Sequence, residues 1–172
     1  MPKIWRVERG IERVMEIEPY DASRLDAVVR LSLRAWEPVF ASLESVMDPE
    51  VYREQHPDWR VTQRAAVEAA CADENMHVWV ASVEATTVGF VALKLHAADR
   101  MGEIYMIAVD PDFQRRGIAA ELTRHSLEWF REAGMSVAMV ETGGDPGHAP
   151  ARRAYESAGF RHLPIARYFK KL

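Results

Sequence analysis

Cysteine is almost absent from this chain. Cys71 stands alone among 172 residues, which excludes an intrachain disulfide and any metal site built on a cysteine cluster. With Ala69, Ala70 and Ala72 around it, Cys71 reads as a small buried helix residue rather than a reactive thiol. Long apolar runs are missing as well, and none approaches the roughly 18 residues of a membrane-crossing helix. The first ten residues mix Lys3, Arg6, Glu8 and Arg9 with isolated apolar positions, unlike a secretory leader. A cytoplasmic protein with no membrane partner is expected. Excess positive charge is lacking too: the net charge is −4, so nucleic acid is not an expected partner and any basic site must be local. Neither Gly-x-Gly-x-x-Gly nor a Gly-Lys-Ser/Thr loop occurs, which disfavours the two commonest nucleotide folds. The histidines at 56, 77, 96, 125 and 162 form no His-Glu-x-x-His motif and no close pair, so no metal is expected.

What is present fits one domain over residues 1–172, long enough to bury a full core. Alternation around residues 14–17 predicts a first strand. Ser23 offers a helix N-cap, followed by Leu25, Val29, Leu33 and Trp36 at helical spacing until Pro38 interrupts. Asp48-Pro49 opens another helical segment, and Pro57 divides it from an alanine-rich helix over 58–72. Strands are predicted over 77–83 and 88–95, joined by a short turn, then over 104–109. A helix over 117–133 ends at Gly134, a strand covers 137–141, and a Gly/Pro-rich loop spans 142–150. A short helix over 151–158 and a last strand over 161–169 complete the order, an α/β (α+β) layer fold. Trp36, Phe40 and Trp59 fall in the N-terminal helical part, where core packing is the expected role of such aromatics and lining of a substrate pocket the alternative.

The segment Val109-Asp110-Pro111-Asp112-Phe113-Gln114-Arg115-Arg116-Gly117-Ile118-Ala119 holds the clearest chemistry. A strand ends, the chain turns, and a helix begins with unsatisfied N–H groups at its positive end. Gly117 carries no Cβ to keep an anion from the backbone, Ala119 is small, and Arg115 and Arg116 add cationic donors. Taken alone, this is equally a solvated helix start with two surface arginines.

Gln114, Gly117 and Ala119, set directly after Ile107-Ala108-Val109-Asp110-Pro111, resemble the acetyl-CoA motif of the GCN5-related N-acetyltransferase (GNAT) superfamily. Downstream, Ala154-Tyr155-Glu156-Ser157-Ala158-Gly159-Phe160 is similar to that family's Tyr-Glu-x-x-Gly-Phe helix and exit. The resemblance implies a mixed, mostly antiparallel sheet with helices on both faces and splayed central strands. It implies acetyl-CoA as donor, with backbone groups of Ile107, Ala108 and Val109 pairing with the pantetheine arm. Gln114, Arg115, Arg116, Gly117, Ile118, Ala119 and Ala120 would hold the diphosphate. The acceptor implied is a primary amine on a small molecule or a protein, and a homodimer is left open.

By the same resemblance Glu103 is the general base, directly or through water, although it equally fits the end of a polar loop facing solvent. Tyr155 matches the tyrosine that protonates the departing thiolate, against a plain packing role. His148 replaces the asparagine usual in the family, and it fits a cofactor contact, a proton relay or an ordinary loop residue. Two alternatives stand beside amine acetylation: acetylation of a protein N-terminus, since residues 107–119 are similar to ribosomal-protein acetyltransferases, and a non-catalytic acyl-CoA sensor.

Overall fold

The computed structural model describes residues 3–7 and 11–172, with side chains considered from residue 14 onward. One sheet of six strands runs in chain order: β1 Lys3–Val7, β2 Ile11–Pro19, β3 Met76–Val83, β4 Thr86–His96, β5 Met101–Val109 and β6 Val137–Val140. Neighbours are antiparallel except β5 and β6, which are parallel. Helices α1 Leu25–Val46, α2 Pro49–Gln55 and α3 Trp59–Ala72 lie between β2 and β3. Helix α4, Ile118–Glu132, connects β5 to β6, and α5, Ala149–Ser157, follows β6.

Alternation along the strands builds two cores. Val80, Phe90, Ala92 and Ala108 face α1 and α3, where they meet Val28, Val29, Leu31, Val67 and Ala70. Ala81, Val91, Leu93, Ile104 and Val109 face α4 and meet Ile118, Leu122 and Phe130. Helices thus cover both faces, as the expected layer fold requires. Phe130 presses on β5 at Gly102, where a Cβ would run into its ring. Gly102→Ala is therefore expected to destabilise the protein by roughly 1–3 kcal/mol through overpacking, read as a lower denaturation midpoint with an unchanged denaturant slope.

Several expectations are corrected. Pro38 does not interrupt α1, which continues to Val46; the one backbone hydrogen bond that a proline forgoes is outweighed by burial on both sides of it, at Leu31 and Ser32 before and Phe40 after. Ser23 is not the N-cap: Asp21 accepts from the Ser23 N–H at 2.8 Å and caps a single 3₁₀ turn ahead of Leu25. Strand β5 starts at Met101 rather than 104, because Gly102 leaves its apolar work to Phe130. No strand forms over 161–169. Pro164 supplies no ladder donor, and Leu163, Ile165 and Tyr168 stand exposed, with Arg167 paired to Glu141. Cys71 is half-buried, and burial raises its thiol pKa. Strand β1, which pairs Lys3 through Val7 with β2, was not foreseen.

Candidate active site

The parallel pairing of β5 with β6 stops at Ile104 opposite Val140, so residues 105–109 have no strand on that side. A bulge coincides with the end of this pairing. Ala92 faces Met106 and Leu93 faces Ile104, leaving Tyr105 as the extra residue on β5. Bulges bend a strand and reverse its side-chain parity. Before the bulge Ile104 points toward α4, and after it Ile107 and Val109 do, while Met106 and Ala108 point toward α1 and α3.

Beyond the bulge, the direction of the backbone groups follows from one bond. The Asp110 N–H donates to Val88 O at 2.8 Å, so by two-residue alternation Ala108 also turns to β4, and its carbonyl lies against Gly89. Ile107 and Val109 therefore turn their backbone groups to the open side. Of the three residues expected to pair with a pantetheine arm, Ile107 offers both backbone groups and Val109 its N–H, while the Val109 carbonyl accepts from Gln114 and Ala108 is committed to β4.

The turn after β5 is held from both ends. Asp110 caps the 3₁₀ turn Pro111–Phe113 by accepting from Asp112 N–H at 3.0 Å. Arg34 of α1 reaches both acids, at 2.8 Å to Asp110 and 3.0 Å to Asp112, offsetting their negative charge. Gln114 donates from Nε2 to the Val109 carbonyl at 3.1 Å, bracing the turn against the strand end. Arg115 takes a left-handed φ of 58° and Gly117 one of 75°, a backbone curl of the kind whose N–H groups can form a concavity suited to an anion. No side chain caps α4, so the N–H groups of Ile118, Ala119 and Ala120 have no partner within the helix. Arg116 lies over the Phe113 ring with its guanidinium 5.1 Å from the centroid.

Glu103 sits on β5 opposite Lys94 and Met139. Its carboxylate Oε2 lies 2.7 Å from His96 Nε2, a contact that inspection of the sequence did not find. The signal was present: in the β4–β5 hairpin His96 faces Met101, making Glu103 its diagonal neighbour.

Tyr155, on α5, is 9% exposed, and burial pushes its phenol up to about 12. Among the described residues only Trp79 Nε1 and His125 Nε2 are buried polar side-chain atoms without a partner. The Tyr155 hydroxyl, equally unpartnered within the protein, therefore reaches accessible space. His148 places Nδ1 against the Asp145 carboxylate, a second partner missed in the sequence, and Ser42 of α1 donates to Asp145 at 2.6 Å. Phe40 and Trp59 stack at 4.4 Å, while Trp36 packs on the core beneath α1.

Among the described residues, no group of three or more His, Cys, Asp or Glu side chains is placed to hold a metal ion. No helix there is long and apolar enough to cross a membrane.

A mycothiol acetyltransferase of Thermomonospora curvata is 32% identical over 113 residues, covering 64% of this chain and 37% of that protein. The N-acetylaspartate synthetase of Rattus norvegicus is 33% identical over 91 residues, 53% of this chain and 30% of that protein. The chain thus spans about a third of the length of these curated relatives. An aminoglycoside N-acetyltransferase solved in complex with CoA matches with a TM-score of 0.65 at 18% identity, over 96% of this chain and 99% of that one. The ribosomal-protein-S18-alanine N-acetyltransferase from Escherichia coli matches at 0.65 and 19%, over 89% and 81%. At such identities the likeness establishes the fold. The acetyltransferase (GNAT) family model matches residues 36–160, and the chain is a member of that family.

Proposed function

We propose that this protein transfers the acetyl group of acetyl-CoA to a primary amine, on a small molecule or a protein, by direct attack. The observation that carries this reading is the open side of β5 beyond Tyr105, with an anion-binding turn at its end. A pantetheine arm laid there as an added strand meets the backbone of Ile107 and Val109, and its diphosphate meets the turn from Arg115 to Ala120. The Ile107 N–H, turned to the same side, polarises the thioester carbonyl.

A protonated amine must lose a proton before its lone pair can attack. Glu103, held by His96, takes that proton. Nitrogen then bonds to the carbonyl carbon, the C–S bond breaks as nitrogen gives up its second proton, and the thiolate receives the Tyr155 proton, which solvent restores. With its pKa raised to about 12 by burial, Tyr155 keeps that proton throughout the neutral and moderately alkaline range. Burial weakens a phenol as a donor, but it also makes a desolvated thiolate more basic. A binding module would need neither group, which favours the enzyme. Cytoplasmic action belongs to the same reading.

The test is a panel of primary amines incubated with acetyl-CoA and followed by thiol release, alongside thermal melts with CoA derivatives. Acetyl-CoA at 100 times its Kd should stabilise the fold by about 2.7 kcal/mol. Tyr155→Phe should lower kcat by roughly 10- to 100-fold with little change in acetyl-CoA affinity. If no CoA derivative binds or shifts the melt, the reading fails.

A further inference from the structure

The connection between β6 and α5 is more tightly built than a cofactor contact requires. The Asp145 side chain is 4% exposed. Burial alone would raise its pKa, but hydrogen bonds from Ser42 and His148 outweigh this and hold it below the ordinary carboxylate value. The Gly147 N–H also donates to Asp145, at 3.0 Å, and to the Ser42 hydroxyl oxygen, at 2.8 Å. Arg152 donates to the carbonyls of Gly143 and Asp145. Neither Gly143 nor Gly147 has room for a side chain: a Cβ on the first would strike the Asp145 carboxylate and the His148 ring, and one on the second would strike Ser42.

These contacts fix one imidazole. A carboxylate against Nδ1 selects the tautomer with its proton there, which leaves Nε2 as a lone-pair acceptor. That nitrogen has no partner among the described residues and is not a buried atom. His148 immediately precedes α5, and Tyr155 follows seven residues later. His148 ends the 3₁₀ turn Pro146–His148 while Tyr155 lies within α5, an axial separation of roughly 10 Å at the helical rise.

We infer, resting on the acetyl-transfer reading above, that His148 is a second catalytic base and Asp145 its positioning residue. An ammonium group gives up two protons in becoming an amide. Glu103 takes the first, freeing the lone pair. After the C–N bond forms, nitrogen carries a positive charge, and His148 Nε2 takes the second proton as the C–S bond breaks. Tyr155 protonates the sulfur and regains a proton from solvent, while Glu103 and His148 release theirs. The sum is one amide, one thiol and one proton. The charged group against the ring is Asp145; Arg152 of α5 donates to the Asp145 backbone carbonyl and the neutral Ser42 of α1 to its carboxylate.

The test uses the amine turned over fastest in the panel. His148→Asn retains an N–H for Asp145 and cannot accept the proton. Its kcat should fall about 100-fold, with the acetyl-CoA Kd within about twofold of wild type and the acidic limb of the kcat profile altered. His148→Ala should recover turnover when imidazole is added, relative to wild type in the same buffer. Asp145→Asn should slow turnover less than either. The inference is overturned if His148→Asn keeps wild-type turnover and pH profile, or if its defect lies wholly in acetyl-CoA binding; either result leaves the transferase reading standing. If wild type acetylates no amine while binding acetyl-CoA, the transferase reading falls first and the inference with it.

Discussion

Glutamine at position 103 should lower kcat for an accepted amine by a factor of about 10² to 10⁴ while leaving acetyl-CoA binding within about threefold. The amide is isosteric with the carboxylate and still presents an oxygen to His96, so the 2.7 Å contact and the strand around it have no reason to change. What is lost is a group able to carry the amine's proton. On the proposed reading acetyl-CoA meets the backbone beyond the bulge and the turn after β5, so binding and turnover should separate cleanly. Calorimetric titration with acetyl-CoA and steady-state thiol release on one preparation measure both. Wild-type turnover in the variant would remove Glu103 from the mechanism.

Valine in place of Gly117 should act in the opposite sense, weakening acetyl-CoA binding by about 10- to 100-fold, equivalent to roughly 1.4–2.7 kcal/mol. Two effects add. At φ 75° a β-branched residue is strongly disfavoured, at a cost of order 1–3 kcal/mol, so the turn would relax and the N–H groups ahead of α4 would lose their shared direction. A side chain at that point would also stand in the proposed path of the diphosphate. Saturating acetyl-CoA should restore much of the turnover, because Glu103 and Tyr155 lie on other elements. A binding constant equal to wild type would place the diphosphate elsewhere.

Much of this was legible in the sequence because it is local. Asp48 and Asp58 cap α2 and α3 with their own carboxylates, the Asp110-Pro111 turn ends β5, and Gly117 starts α4. What escaped is set by pairing across the fold. Pro38 gives a break signal that tertiary burial overrides. A last strand is expected over 161–169, yet Pro164 lies within the segment and no ladder forms. The two carboxylate–histidine contacts were hidden for different reasons. Glu103 and His96 meet through hairpin register, and Asp145 and His148 lie three residues apart on one turn, a local contact obscured by its Gly/Pro-rich surroundings; Ser42 and Asp145, by contrast, are 103 residues apart and meet only because α1 packs beside the β6–α5 connection.

The extra residue at Tyr105 makes the width of the cleft a matter of counting rather than of composition. Its side chain is exposed, and the register shift belongs to the backbone, so exchange of that side chain for another leaves the tally between Leu93 and Ala92 on one strand and Ile104 and Met106 on the other unchanged. Only a deletion or a compensating insertion alters it. A survey of side-chain substitutions that spare the backbone would leave this count intact, at the point where β5 and β6 part.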